Sequence, residues 1–178
     1  MTIFLSGGCK NGKSTFAEGC AQALAGDGPL YYVATMIPHD DEDLVRIARH
    51  VAERAGKGFT TLEQGTRLCD CLKRADPSGT FLLDSVTALL SNEMFPPMAM
   101  DMDAGARVAS ELREFASRVE NAVFVSDFLY SDALPYDEYT ERYRAALALC
   151  DRTLAGCCDC AAEVALGTVL CYKGAPPL

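Results

Sequence analysis

Histidine is scarce in this chain of 178 residues: only His39 and His50 carry an imidazole, so any chemistry that needs one falls on one of two positions. Cations are also in short supply. Lysines and arginines number 16 against 25 aspartates and glutamates, a formal net charge of −9, and no basic stripe offsets it. Such a surface repels a polyphosphate backbone, which argues against nucleic acid as a partner. No apolar run approaches the roughly 20 residues of a membrane span. Nor does a basic segment followed by a long apolar core stand at the amino terminus, so a soluble, cytoplasmic protein is the expectation.

What is present is ordinary for a globular protein, with 49% hydrophobic and 23% charged residues. The length suits one domain, residues 1–178, able to bury roughly 70% of the unfolded surface. No repeat or low-complexity segment divides it; the methionine-rich "MAMDMD" reads as a loop and "GAPPL" as a frayed tail. Nine cysteines cannot all pair within one monomer, and reduced thiols are expected in an unexported chain. Cys157, Cys158 and Cys160 invite a zinc reading, but Cys69 and Cys71 lie too far away in sequence to complete a site readily. Tyr143, Leu147, Cys150, Leu154, Cys157 and Ala161 recur at intervals of four and three, which places them on one helix face as core.

Short apolar runs alternate with amphipathic stretches along the chain. Strands are predicted near 2–6, 30–35, 79–84, 122–126 and 164–171, and helices over 13–25, 41–55, 104–119 and 137–157. This alternation predicts an α/β fold with a largely parallel sheet covered by helices.

One stretch carries chemistry on its face. Gly7-Gly8-Cys9-Lys10-Asn11-Gly12-Lys13-Ser14 fits G-x-x-x-x-G-K-[ST] at every fixed position, after an apolar run and before a helix. The glycines let the backbone fold into a nest of amides, Lys13 can reach the β- and γ-phosphates, and Ser14 can ligate Mg2+. A glycine turn that merely caps a helix explains fewer of these positions. The second magnesium contact is usually a carboxylate ending a buried strand. Asp84, closing "TFLLD", is favoured; Asp127, after "AVFVS", competes, and either could be an ordinary helix cap. His50 lies off the apolar face formed by Leu44, Ile47, Ala48, Val51 and Ala55, in a column with Arg46 and Arg54. That column suits a triphosphate, although a solvated helix surface reads equally well from spacing alone. His39, beside Pro38, reads as a structural or exposed loop residue.

"GGCKNGKSTFAE", "YYVATM", "DEDLVRIARH", "TLE" and "FLLDSVTALLSNE" occur in the order seen in the bifunctional adenosylcobinamide kinase / adenosylcobinamide-phosphate guanylyltransferases, which roughly the first 93 residues resemble well. The resemblance implies a RecA-like P-loop NTPase fold, a corrinoid acceptor, GTP or ATP with Mg2+ as the nucleotide substrate, and a homo-oligomer. Members phosphorylate adenosylcobinamide and then attach GMP to that phosphate during cobalamin nucleotide-loop assembly. The family's histidine nucleophile falls on His50. Its nucleotide contacts fall on Gly7 through Ser14, on Ala34, Thr35 and Met36, on Val51, Ala52, Glu53 and Arg54, on Glu63 and on Asp84. Lys13 would serve catalysis as well as binding, with Ser14 and Asp84 holding Mg2+.

The carboxyl-terminal half departs from the pattern. Where the family usually reads "VSNEVG-x-G", this chain has "VSDFLYSD" over residues 125–132. Arg142-Tyr143-Arg144 resembles the family's arginine-aromatic-arginine segment, but Asp151-Arg152 replaces an asparagine-glutamine pair. These changes implicate the acceptor pocket. A P-loop kinase of other specificity, or a GTP-binding paralogue without turnover, are the alternatives they leave open.

Overall fold

The computed structural model describes residues 1–38 and 40–178, and for Arg46 and Glu53 the backbone alone. Its centre is one seven-stranded sheet: β1 (Thr2–Gly7), β2 (Leu30–Ala34), β3 (Thr60–Glu63), β4 (Thr80–Asp84), β5 (Asn121–Asp127), β6 (Cys160–Ala165) and β7 (Thr168–Lys173), in spatial order β3-β2-β4-β5-β1-β6-β7. All neighbours are parallel except the β6–β7 pair. The central strands are continuous apolar runs because helices cover both faces.

Alternation along each strand sorts the two layers. Ile3, Leu5, Leu82, Val123 and Val125 pack with Ala17, Cys20 and Ala21 of α1 (Lys13–Ala25). Phe4, Phe81, Leu83 and Phe124 face the other way, against α3 (Val86–Met94), α4 (Ala104–Arg118) and α5 (Glu138–Cys157). Phe115 of α4 stands edge-on to both Phe81 and Phe124 in that layer. Among the described residues, no helix is long and apolar enough to cross a membrane.

α2 (Asp41–Arg54) begins at Asp40, whose carboxylate accepts the Asp43 amide at 2.9 Å, and Asp41, Glu42 and Asp43 complement the helix dipole. The expected apolar stripe of this helix does not enter the core: Leu44, Ala48, Val51 and Ala55 are exposed, and Ile47 is half-buried. Its anchor is at the carboxyl end, where Arg54 is buried and its guanidinium lies 3.4 Å above the Tyr32 ring centroid.

Two further expectations need correction. The single strand expected at 164–171 is a hairpin, because Leu166 and Gly167 both take positive φ, 52° and 75°, as a tight two-residue turn between twisted strands requires. The α5 face ends earlier than the spacing suggests: Leu147, Cys150 and Leu154 are buried, but Cys157 closes the helix in an exposed position and Ala161 belongs to β6. Buried thiols elsewhere are packing groups, since burial pushes Cys71, Cys150 and Cys158 up to about 12.

Candidate nucleotide site

The P-loop leaves β1 at Gly7, where a Cβ would run into the Val164 carbonyl oxygen of the neighbouring strand. Lys10 and Gly12 take left-handed conformations, φ 59° and 85°. Such alternation turns successive amides into one concavity at the start of α1. Cys9 and Lys10 are exposed at its lip, and Gly8 and Asn11 are half-buried. Lys13, only 6% exposed, donates to the Gly8 carbonyl at 2.7 Å and pairs with Asp127 Oδ1 at 2.9 Å.

The neighbouring strands end level with this loop. Gly7 is in register with Asp127, and Ala34 is in register with both Glu63 and Asp84, so all five stand at the carboxyl edge of the sheet where ligands bind in open α/β folds. The two competing carboxylates are thereby separated. Asp84 is held by Ser14 and by the Tyr32 hydroxyl, which donates to Oδ2 at 3.2 Å; Asp127 is held by Lys13. Burial pushes the Asp84 carboxyl up, the Ser14 and Tyr32 hydrogen bonds and His50 oppose this, and Asp127 adds to it. His50 is therefore near enough to act on Asp84 electrostatically.

Arg54, Tyr32 and Asp84 form a continuous stack and hydrogen bond from α2 to the P-loop serine. Nothing in the sequence singles out Tyr32 except that it is the second tyrosine in an otherwise apolar strand. Thr35 is buried, and its hydroxyl both accepts the Ser85 amide and donates to the Ser85 carbonyl at 2.8 Å, so its side chain braces the strand ends. Met36 is half-buried, whereas Val51, Ala52 and Glu63 are exposed around the edge. The Glu53 side chain, the Arg46 member of the cation column, and His39 lie outside the described residues.

The model of the cobinamide kinase / cobinamide phosphate guanyltransferase family matches residues 3–171. The chain belongs to that family. The match runs through "VSDFLYSD" and into the last strand of the sheet, well beyond the segments that carried the resemblance. Among solved structures, the ATPase domain of a helicase superposes with a TM-score of 0.50 at 10% identity, covering 91% of this chain and 68% of that one. The flagellar accessory protein FlaH from Methanocaldococcus jannaschii gives 0.49 at 12%, covering 97% and 78%. The fold is that of the RecA-like P-loop ATPases. No curated protein matches the sequence.

In this cobinamide kinase / guanyltransferase family member, the departing segments are joined to one another. The Tyr130 hydroxyl donates to Asp151 Oδ2 at 2.8 Å, and the buried Arg144 pairs with Asp132 at 3.1 Å and lies over the Tyr136 ring. The Phe128 amide donates to the Gly7 carbonyl at 3.0 Å, tying the altered loop to the P-loop. Changes at 127–132 and at 151 thus compensate each other in one packed unit.

Proposed function

We propose that this family member carries out both reactions of the family's name. It would phosphorylate the adenosylcobinamide hydroxyl from GTP or ATP, then transfer GMP from GTP to that phosphate through a GMP-histidine intermediate on His50. The observation that supports this most directly is the meeting of Lys13, Ser14, Asp84 and His50 at one edge of the sheet.

In the kinase step the acceptor oxygen attacks the γ-phosphorus, the bond to the β,γ-bridging oxygen breaks, and the hydroxyl proton is released. Lys13 and the loop amides align the triphosphate and offset charge that builds on the leaving diphosphate. In the guanylyl step an imidazole nitrogen of His50 attacks the α-phosphorus and pyrophosphate leaves; a phosphate oxygen of the acceptor then displaces the histidine. Ser14 and Asp84 fit Mg2+, being hard oxygen donors side by side, with the carboxyl pushed up by burial. When bound, the ion would offset phosphate charge. The same proposal makes the chain a single-domain, cytoplasmic homo-oligomer that takes a corrinoid and a nucleotide but no nucleic acid.

Incubation with α-labelled GTP and Mg2+ at neutral pH is expected to leave label on the denatured protein that survives alkali and is lost in acid, as a phosphoramidate is; γ-labelled GTP should leave none. Protein that binds GTP but never takes the α-label sinks the guanylyl half. Phosphate and GMP incorporation into adenosylcobinamide then separates a kinase from a binding paralogue.

The carboxylate assignment has its own test. Asp84→Asn is expected to raise the Mg2+ concentration for half-maximal rate by roughly tenfold or more, the scale of losses at metal-ligand positions. Asp127→Asn should leave that requirement in place. The opposite pattern in a magnesium titration of the two variants would move the metal to Asp127.

A further inference from the structure

On the face of the sheet away from α1, between β1, β6, α5 and the loop after β5, lies a cavity of about 330 Å3 that Lys13, Ser14 and Asp84 do not line. Its walls are Phe4, Phe128, Ala161 and Ala162, with the rings of Tyr130 and Tyr172. Asp151 of α5 lines it and is 3% exposed; Oδ2 accepts the Tyr130 hydroxyl, and Oδ1 has no hydrogen-bond partner. The hydroxyls of Ser6, on the cavity wall, and Ser126, level with it in β5, are also buried without a partner.

These are three buried acceptors around one space, and a buried polar atom left unpaired is costly. The surrounding charge is unfavourable to an anion. Glu163 of β6 faces the cavity, its Oε2 accepting the Tyr172 hydroxyl of β7 at 2.8 Å, and Asp127 of β5 acts on Asp151 from behind. Tyr130 and Ser126 favour the ionised Asp151, Tyr143 and Cys150 lie near it on α5, and Arg152 is exposed at the rim. Burial nevertheless pushes the Asp151 carboxyl up to about 6, so near neutral pH it is chiefly an anion that lacks a donor on one oxygen.

We propose that this cavity binds a primary organic ammonium on a small apolar stem, its three N–H groups meeting Asp151 Oδ1 and the Ser6 and Ser126 hydroxyls. An ammonium offers three donors and no acceptor, which matches that set, and Phe128 and Tyr130, edge to face at 4.8 Å, give the cation ring surface. The stem rests on Phe4, Ala161 and Ala162. Tyr130 and Asp151 both stand where this chain leaves the family pattern, so the site belongs to the departure, and it does not depend on the proposed transfer chemistry.

The test is a titration of the full chain with benzylammonium chloride from pH 5 to pH 8, followed by backbone amide NMR, with benzamide as the neutral counterpart. Saturable shifts are expected at residues 128–130 and 151–155. The sign follows from linkage: the cation binds ionised Asp151, so affinity is full well above pH 6 and falls about tenfold per unit below it. Asp151→Asn should weaken binding at least about tenfold, one unit of that lost charge, and flatten the pH dependence. Ala155→Leu, which fills the cavity from α5, should abolish binding. Benzamide binding as tightly as benzylammonium, undiminished binding to either variant, or no binding to the wild type at any pH each overturns the proposal, the last by leaving the acceptors to water.

Discussion

Lys13→Ala is expected to depress phosphoryl and guanylyl transfer together, by roughly a hundredfold to a thousandfold, the range seen when a preorganised donor to developing charge is removed. Two losses combine in this chain. The cation that would grip the β- and γ-phosphates disappears, and Asp127, whose Oδ1 lies 2.9 Å from Lys13 Nζ, is left as an uncompensated carboxylate facing the incoming triphosphate. Nucleotide affinity should therefore fall further than loss of a phosphate contact alone would give. Adding Asp127→Asn to Lys13→Ala should restore part of the binding and little of the turnover, a non-additivity expected of groups in direct contact. Rates of both transfers and GTP affinity for the three variants check this. If only one of the two reactions drops, they do not share a triphosphate site.

His50→Ala should remove all label derived from α-labelled GTP and bring GMP transfer below detection, while acceptor phosphorylation stays within a few-fold of wild type. The asymmetry is chemical. Attack on the α-phosphorus through a covalent intermediate needs a nucleophile on the protein, whereas γ-phosphoryl transfer needs only an aligned hydroxyl and charge compensation. Of the two histidines, His50 is on the helix whose carboxyl end is pinned through Arg54 and Tyr32 to Asp84. The variant leaves that anchor in place, so nucleotide binding should persist. Phosphorylation lost to the same degree as guanylylation would place His50 in a role common to both steps. Measuring incorporation of phosphate and of GMP in one reaction mixture gives both answers.

The P-loop is legible in the sequence because its signature is local: glycines, lysine and serine at fixed spacing between a strand and a helix. The parallel sheet is legible because its central strands, "TIFL", "TFLLD" and "AVFV", are apolar on both faces. What escapes a reading of the sequence is decided by neighbours far away along the chain. "TTLE" forms β3 at the sheet edge with three of its four residues exposed, so it carries no run of apolar residues to announce it. Asp84 and Asp127 each end an apolar strand, and only the positions of Ser14 and Lys13 tell them apart. The stripe on α2 is a true periodicity but not a core face, since amphipathic spacing does not say what lies opposite. Tyr32 is invisible as a bridge because its partners, Arg54 and Asp84, come from two other elements.

The strand order has a consequence for how the chain acquires its site. β1 precedes every other strand in the chain, yet its neighbours in the sheet are β5 and β6, so Thr2 waits for Ala122 and Ile3 for Cys160 before either finds its ladder partner. Such long loops close late and slow folding. During synthesis the residues of the phosphate cradle therefore leave the ribosome early but have no sheet to stand on until most of the polypeptide has followed. Gly7, pressed against Val164, and Lys13, paired with Asp127, are both set in place by residues from the last third of the chain. A nascent fragment ending before β5 contains every letter of the P-loop signature and lacks the scaffold that gives it shape.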